Sequence, residues 1–278
     1  MAGPAAFIFC YAGYYALMND YASTVLPIVR ATREMLLPHY GCIEETRRKG
    51  EHPASAVTRL DLEVETYLRE ELAKKFADIS FAGEEFGGSR DEARFWLCDP
   101  IDGTGHFLRG LPFCTVMLAL IEDQKVNFSV VYDFVNDIVY HAARGKGAFA
   151  NDTPIQVSKR PLADSYLIVE YNTTHEENRD TYLKLFKKGG LLEMITAGWS
   201  LAMVAAGKID GRVTWDGWGF DYDFAPGSLL VEEAGGIVAN VGSRSYDYRK
   251  LDFLACNKEV FAELTEGPDA LFPTPQDP

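Results

Sequence analysis

The chain has 278 residues, 47% of them hydrophobic, and a formal net charge of −14. That length and apolar content support a sizeable core, in one large domain or two small ones. The acidic balance argues against non-specific binding to a nucleic-acid polymer or an anionic membrane, both of which call for basic surface; it leaves room for a small phosphorylated metabolite if metal ions mask the local acid.

Five cysteines (Cys10, Cys42, Cys98, Cys114 and Cys256) are scattered, odd in number and without a Cys-x-x-Cys pair. This usage fits packed, reduced thiols and a reducing, cytoplasmic setting. Phe7 to Leu17 is apolar but too short to span a bilayer, and it lacks the basic start of a secretory signal. Met18 offers a second start, so residues 1–17 are expected to be a dispensable extension.

In chain order, Tyr21 to Tyr40 carries apolar residues at helical spacing (Val25, Ile28, Val29, Met35, Leu36), with Gly41 as its stop. Glu44 to Pro53 is charged and breaker-rich, the composition of a mobile loop. Leu60 to Phe76 predicts a second amphipathic helix, with Leu62, Val64, Tyr67, Leu68 and Leu72 as its core stripe. Ile79 to Ala82 is a short strand ending at Gly83-Glu84-Glu85, and Arg94 to Cys98 is a buried strand. Val116–Ile121, Val126–Tyr132, Ile138–Ala142 and Ala148–Ala150 then read as an antiparallel meander. Further on come strands over Tyr166–Glu170, Leu191–Thr196, Ile209–Trp215, Ile237–Val241 and Phe253–Cys256. Helices are expected over Glu176–Lys188, Leu201–Ala206, Ala225–Ala234 and Glu259–Leu264, and the proline-rich stretch after Gly267 reads as loose. The pattern is layered α/β with mixed sheets.

The chemistry concentrates at Asp99-Pro100-Ile101-Asp102-Gly103-Thr104. Two carboxylates three residues apart lie where a buried strand breaks off. Proline holds Asp99 extended, and Gly103 allows a tight turn and close approach of a ligand. The same residue types also make an ordinary acidic turn. Two other acidic stretches bear on the choice. Glu84 and Glu85 stand at a second strand end, where a surface loop is the simpler account. Asp223 precedes a helix, where it can act as an N-cap, as a metal ligand, or as both, since a helix start favours an ionised carboxylate. Four converging acids would repel one another unless a hard cation such as Mg²⁺ joined them. Two or more such ions can polarise a phosphate and neutralise a leaving oxygen.

Gly83-Glu84-Glu85, then Trp96-Leu-Cys-Asp99-Pro-Ile-Asp102-Gly-Thr104, then Asp223-Phe-Ala-Pro-Gly227 with Leu230-Val-Glu-Glu-Ala-Gly-Gly236, resembles the inositol monophosphatase family. That family comprises Mg²⁺-dependent, lithium-sensitive phosphatases of the fructose-1,6-bisphosphatase-like superfamily. Val57-Thr58-x-x-Asp61 and Gly198-Trp-Ser-Leu-Ala202 fit the same family, and the resemblance runs from about Met18 to Leu264. The expected fold class is α/β, a layered αβαβα sandwich with mixed, largely antiparallel sheets. The expected organisation is one catalytic domain over 18–267, with subregions of about 18–158 and 159–267, and a flexible tail over 268–278.

The resemblance implies that Glu84, Asp99, Asp102, Asp223 and the Ile101 carbonyl hold two or three Mg²⁺ ions. Thr104, oriented by Asp61, would help Glu84 activate the attacking water, and Glu85 would support them from behind. The N–H groups of Gly103 and Thr104 would cradle the phosphate, and Asp216 would touch the substrate's hydroxyls. It further implies direct attack of metal-activated water on inositol monophosphate or a related sugar or polyol phosphate, by a homodimer. Three departures put the substrate in doubt. Gly105-His106-Phe107 replaces the usual Thr-Asn-Phe, Tyr222 replaces tryptophan, and Trp199 and Trp218 are bulky for a pure inositol pocket. His106 reads as a packing residue, because the oxygen cage is already filled, and Lys49 as a solvated lysine. Histidinol phosphate and nucleotide 3′- or 2′-phosphates remain open, as does a non-catalytic binding or regulatory module on the same fold.

Overall fold

The computed structural model describes residues 21–42, 47–48, 56–57, 59–193 and 195–275. The expectations for residues 1–17, Cys10, Lys49 and Thr58 fall outside them. Residues 21–36 are helical (α1), and a short 3₁₀ turn over Leu37–His39 follows. Part of the expected mobile loop is instead a two-stranded antiparallel ribbon, β1 (Arg47–Arg48) with β2 (Ala56–Val57). Helix α2 spans Arg59–Lys75, and its buried stripe is Leu60, Val64, Leu68 and Leu72, with Asp61 and Glu65 buried beside it. Leu62 and Tyr67, expected in that stripe, are only half-buried.

Strands β3 (Ser80–Gly83) and β4 (Arg94–Asp102) are parallel neighbours, and the short helix α3 (Thr104–Arg109) follows β4. The meander then runs β5 (Thr115–Glu122), β6 (Lys125–Asp133), β7 (Ile138–Ala143) and β8 (Ala148–Ala150). It gains an unforeseen edge strand, β9 (Thr153–Ile155), whose Pro154 suits a sheet edge. Together β3 to β9 form a seven-stranded sheet in sequence order, antiparallel except at β3–β4.

The second half contributes β10 (Tyr166–Tyr171), α4 (Glu176–Lys188), β11 (Leu191–Glu193), α5 (Ala197–Ala205) and β12 (Gly211–Trp215). It ends with α6 (Asp221–Glu233), β13 (Ile237–Asn240), β14 (Phe253–Cys256) and α7 (Lys258–Thr265). Its five-stranded sheet has the order β11-β10-β12-β14-β13, parallel on one side of β12 and antiparallel on the other.

Alternation along the strands sorts these elements into five layers, αβαβα. Trp96, Cys98, Val116 and Leu118 face α1 and α2. Their neighbours Phe95, Leu97, Met117 and Ala119 face the opposite way, onto α5 and α6, which also cover Ile168, Phe253 and Ala255 of the small sheet. Leu167, Val213 and Leu254 face outward onto α4 and α7. At roughly 1.5–3 kcal/mol for each large side chain fully buried, helices α5 and α6, apolar on nearly every side, belong in the middle layer. The stretch after Gly267, expected to be flexible, is anchored at Phe272, which is buried against Trp215 and donates its N–H to the Leu264 carbonyl. Among the described residues no helix is long and apolar enough to cross a membrane.

Candidate active site

Strand β4 does not break off before its acids, as the sequence suggests, but carries them through. Asp99 pairs with Met117 and Asp102 with Thr115, and the register shifts between the two pairs. In a regular strand, residues three apart point to opposite faces. The irregularity at Pro100-Ile101, where proline has no N–H for the ladder, turns both carboxylates to the same side. Gly103, at φ +81, then folds the chain into α3; a side chain there would strain the backbone and meet the Phe113 carbonyl at 2.5 Å.

The third acid comes from the middle layer. Asp223 is not the N-cap of α6 but lies inside its first turn, and its Oδ2 accepts the Phe220 N–H at 2.5 Å. One oxygen each from Asp99, Asp102 and Asp223 lies within 4.8 Å of the others. Each carboxylate is also held by a separate donor. Asp99 Oδ1 accepts the Ile101 N–H at 3.0 Å. Asp102 Oδ2 accepts the Gly198 N–H at 2.8 Å and the Thr115 hydroxyl at 3.4 Å. Gly198 is the second residue of α5, which opens at Ala197, four residues before the helix start expected from sequence, and a Cβ on Gly198 would lie 2.3 Å from Thr115 Oγ1.

Burial pushes all three carboxyls up. Asp99 is raised well above the usual range, with the charges of Glu84, Asp223 and Asp102 adding to burial. Asp223 is raised by burial, then by Asp102 and Glu84, against the Phe220 N–H. Asp102 reaches about 6, restrained by the Gly198 N–H and the Arg212 charge. Three such acids cannot all be ionised in one small space without a cation; in its absence protons are retained. An all-oxygen, anionic donor set selects a hard divalent ion, so the residues present fit Mg²⁺.

Glu84 follows β3 and donates its N–H to the Cys98 carbonyl at 3.1 Å. Its carboxylate is outside the tight trio, yet its charge is the largest acting on Asp99. The turn that carries it rests on a residue the sequence reading missed. Glu65, fully buried on α2, accepts the N–H groups of Glu85 at 2.7 Å and Phe86 at 2.9 Å. The available signal was two acids one helical turn apart, Asp61 and Glu65, flanking an apolar stripe. Arg90 ties the far end of this loop to α6 by a bidentate pair with Asp221, at 2.5 and 3.0 Å. Thr104 is buried, with its hydroxyl 3.3 Å from Asp61 Oδ1 and 3.0 Å from the Ile101 carbonyl. That carbonyl keeps a second lone pair.

The structure does not bring Asp216 into the trio. It sits after β12 at φ +45, and its Oδ2 takes His175 Nδ1 and Asn178 Nδ2, each at 2.6 Å. Those contacts, Asn178 first and His175 next, lower its carboxyl. His106 packs edge-on against Phe113, which packs edge-on against Trp199. Tyr222 is buried beneath Phe220.

A five-layer α/β sandwich brings together acids from an interior strand and a helix start, an oxygen donor set suited to a divalent cation. The chain belongs to the inositol monophosphatase family, which matches residues 19–267. It is 34% identical over 207 residues to an inositol-1-monophosphatase of Rhizobium meliloti, covering 71% of this chain and 76% of that one. It is 30% identical over 258 residues to a Neisseria meningitidis protein described as a putative Nus factor SuhB, covering 89% and 97%. A solved inositol monophosphatase structure from Thermotoga maritima superposes with a TM-score of 0.79 at 27% identity, covering 88% of this chain and 94% of that one.

Proposed function

We propose that the protein is a Mg²⁺-dependent phosphomonoesterase acting on a small phosphorylated metabolite, inositol monophosphate or a related sugar or polyol phosphate. The observation that carries this reading is the convergence of Asp99, Asp102 and Asp223 beside the Thr104–Asp61 contact. Glu84, Asp99, Asp102, Asp223 and the Ile101 carbonyl would hold the ions. When bound, Mg²⁺ supplies Lewis-acid polarisation of the phosphoryl group and neutralises charge developing on the leaving oxygen.

The remaining work falls to the chain. The N–H groups of Gly103 and Thr104 open a helix and have no acceptor inside it, so they take phosphate oxygens. Thr104 donates its hydroxyl hydrogen bond to Asp61, and its oxygen is left to accept a hydrogen bond from the attacking water. Glu84 takes a proton from that water as the new oxygen–phosphorus bond forms and the ester bond breaks in line, with no phosphoenzyme, and the leaving alkoxide takes a proton from solvent water. Glu85 supports Glu84, and Asp216 meets substrate hydroxyls. The same reading extends to lithium inhibition, a homodimer and the cytoplasm.

A phosphate-release screen tests it, using inositol 1-phosphate, histidinol phosphate and nucleoside 2′- and 3′-phosphates, with Mg²⁺ and with or without Li⁺. Mg²⁺-dependent, Li⁺-inhibited release from the inositol ester supports the reading; release from another ester alone reassigns the substrate. A second reading, a non-catalytic binding module, draws on the name of the Neisseria relative. A clean preparation inert on the whole panel supports that one.

A further inference from the structure

Arg212 on β12 is 1% exposed, and it lies in the middle layer rather than at the surface. Its Nη2 pairs with Glu170 on the adjacent parallel strand β10. Its Nη1 donates to the Ile195 carbonyl at 3.0 Å and to the Ser200 hydroxyl at 2.9 Å. Its guanidinium carbon stands 5.3 Å from the centre of the Phe224 ring. Its Nε has no partner among the described residues. Removing two charges from water costs several kcal/mol per ion, and apolar residues of similar volume often serve stability as well or better. Fold stability alone therefore does not account for an arginine at this position.

The contacts share a destination. Ile195 and Ser200 bracket Gly198, whose N–H holds Asp102. Phe224 follows Asp223 in the first turns of α6. Glu170, the partner of Arg212, accepts the backbone N–H of Trp218. Trp218 belongs to the loop that wraps Asp223, where a Cβ on Gly219 would come within 3.0 Å of Asp223 Oδ2. One buried pair thus touches the supports of two of the three converging carboxylates. These supports come from separate segments, and β12 is the strand between them.

We propose that Arg212 and Glu170 are a positioning pair for the cation site, setting where the Gly198 N–H and the Asp223 carboxylate stand. This rests on the reading of the acidic cluster as a Mg²⁺ site, but not on which phosphate ester is cleaved. The pair is neutral overall, so removing both members leaves the net charge of the molecule unchanged; because the Arg212 charge also acts on Asp102, a variant that keeps that charge is needed to expose the geometric effect.

The test is Mg²⁺ binding to the full chain, followed by calorimetry without substrate, alongside melting in EDTA. The double variant R212M/E170L is expected to melt at or above the parent's temperature and to bind Mg²⁺ roughly 10–100-fold more weakly, the usual effect of disturbing groups behind metal ligands. R212K, which keeps the charge but loses the planar fork, is expected to weaken Mg²⁺ binding in the same direction. Parental Mg²⁺ affinity in the double variant overturns the proposal. If the double variant does not fold, parental affinity in R212K overturns it. A parent that binds no Mg²⁺ removes both this inference and the cation-site reading. A parent that binds Mg²⁺ but cleaves no ester, with the variants weakened as stated, sinks only the phosphatase reading.

Discussion

The acids on β4 and the stretch after β12 lie at strand ends of the two different sheets, yet they are built differently. Asp99 is 1% exposed and Asp102 6%, and each is held by a donor whose position is itself fixed by packing. In the stretch from Asp216 to Phe220, Trp218 is 46% and Phe220 60% exposed, and Asp216 bends through a positive φ. The first region is set before any ligand arrives. The second faces water, where side chains can change at little cost to the fold. A scaffold divided this way can keep its acidic cluster while the exposed turn varies, which fits the unusual Trp218.

The harshest way to break the contrast is to remove one charge from the buried side. Asp99→Asn is expected to bring phosphate release down to the level seen without Mg²⁺; near-parental Mg²⁺-dependent turnover would falsify the assignment. The same residues make a stability prediction with a definite sign. Asp99, Asp102 and Asp223 have raised carboxyls, so the folded, metal-free state holds more protons than the unfolded chain. Their contribution is complete below the ordinary carboxylate value and is lost as pH rises through the folded values. For Asp102 that window runs from 3.8 to about 6. Glu65 and Glu170 add the same sign. Asp216 and Asp247, which are lowered, act in the opposite sense only at lower pH, and His106 and His141, lowered by burial, oppose the trend within the interval but are outnumbered by the raised carboxyls. In EDTA the melting temperature should therefore fall between pH 5 and pH 7, Mg²⁺ should flatten the slope, and Asp99→Asn should melt above the parent at pH 7. A melting temperature in EDTA that climbs over that interval contradicts the account.

A smaller perturbation tests whether the buried side is held from behind. In Gly198→Ala the new methyl would lie 2.3 Å from Thr115 Oγ1 and 2.9 Å from Asp102 Oδ2, so the start of α5 must shift. Overpacking of this kind costs about 1–3 kcal/mol. The gain in melting temperature on adding Mg²⁺ should shrink as well, because Asp102 loses its donor. An unchanged Mg²⁺ response would mean that the Gly198 N–H is incidental.

Local pattern made much of this fold legible. The meander, the helix over Glu176–Lys188 and the strand over Phe253–Cys256 all follow from alternation or helical spacing between turn residues. The acids of β4 stood out because they interrupt an apolar run. The start of α5 was not legible, since Gly198 looks like a loop residue until Asp102 is seen against it. Pro226 misled the placement of α6: it suggests a first turn, whereas the helix begins at Asp221 and Pro226 lies in its second turn. Arg212 was beyond reach, because a lone charged residue reads as solvated until a partner distant in sequence desolvates with it.

The mildest change tests the open side. Asp216→Asn keeps an oxygen to accept from His175 and Asn178, so the turn after β12 should persist and only the charge is lost. Asp216 has no place in the converging trio, so Mg²⁺ affinity should stay at the parental value. If Asp216 accepts hydroxyls of a polyol ester, KM for inositol 1-phosphate should rise roughly three- to tenfold, the range of one or two weakened hydrogen bonds. kcat should hold, as when an interaction common to ground and transition states is removed. A fall in kcat with weaker Mg²⁺ binding would show that the exposed turn is coupled to the buried acids, and the division between the two regions would fail.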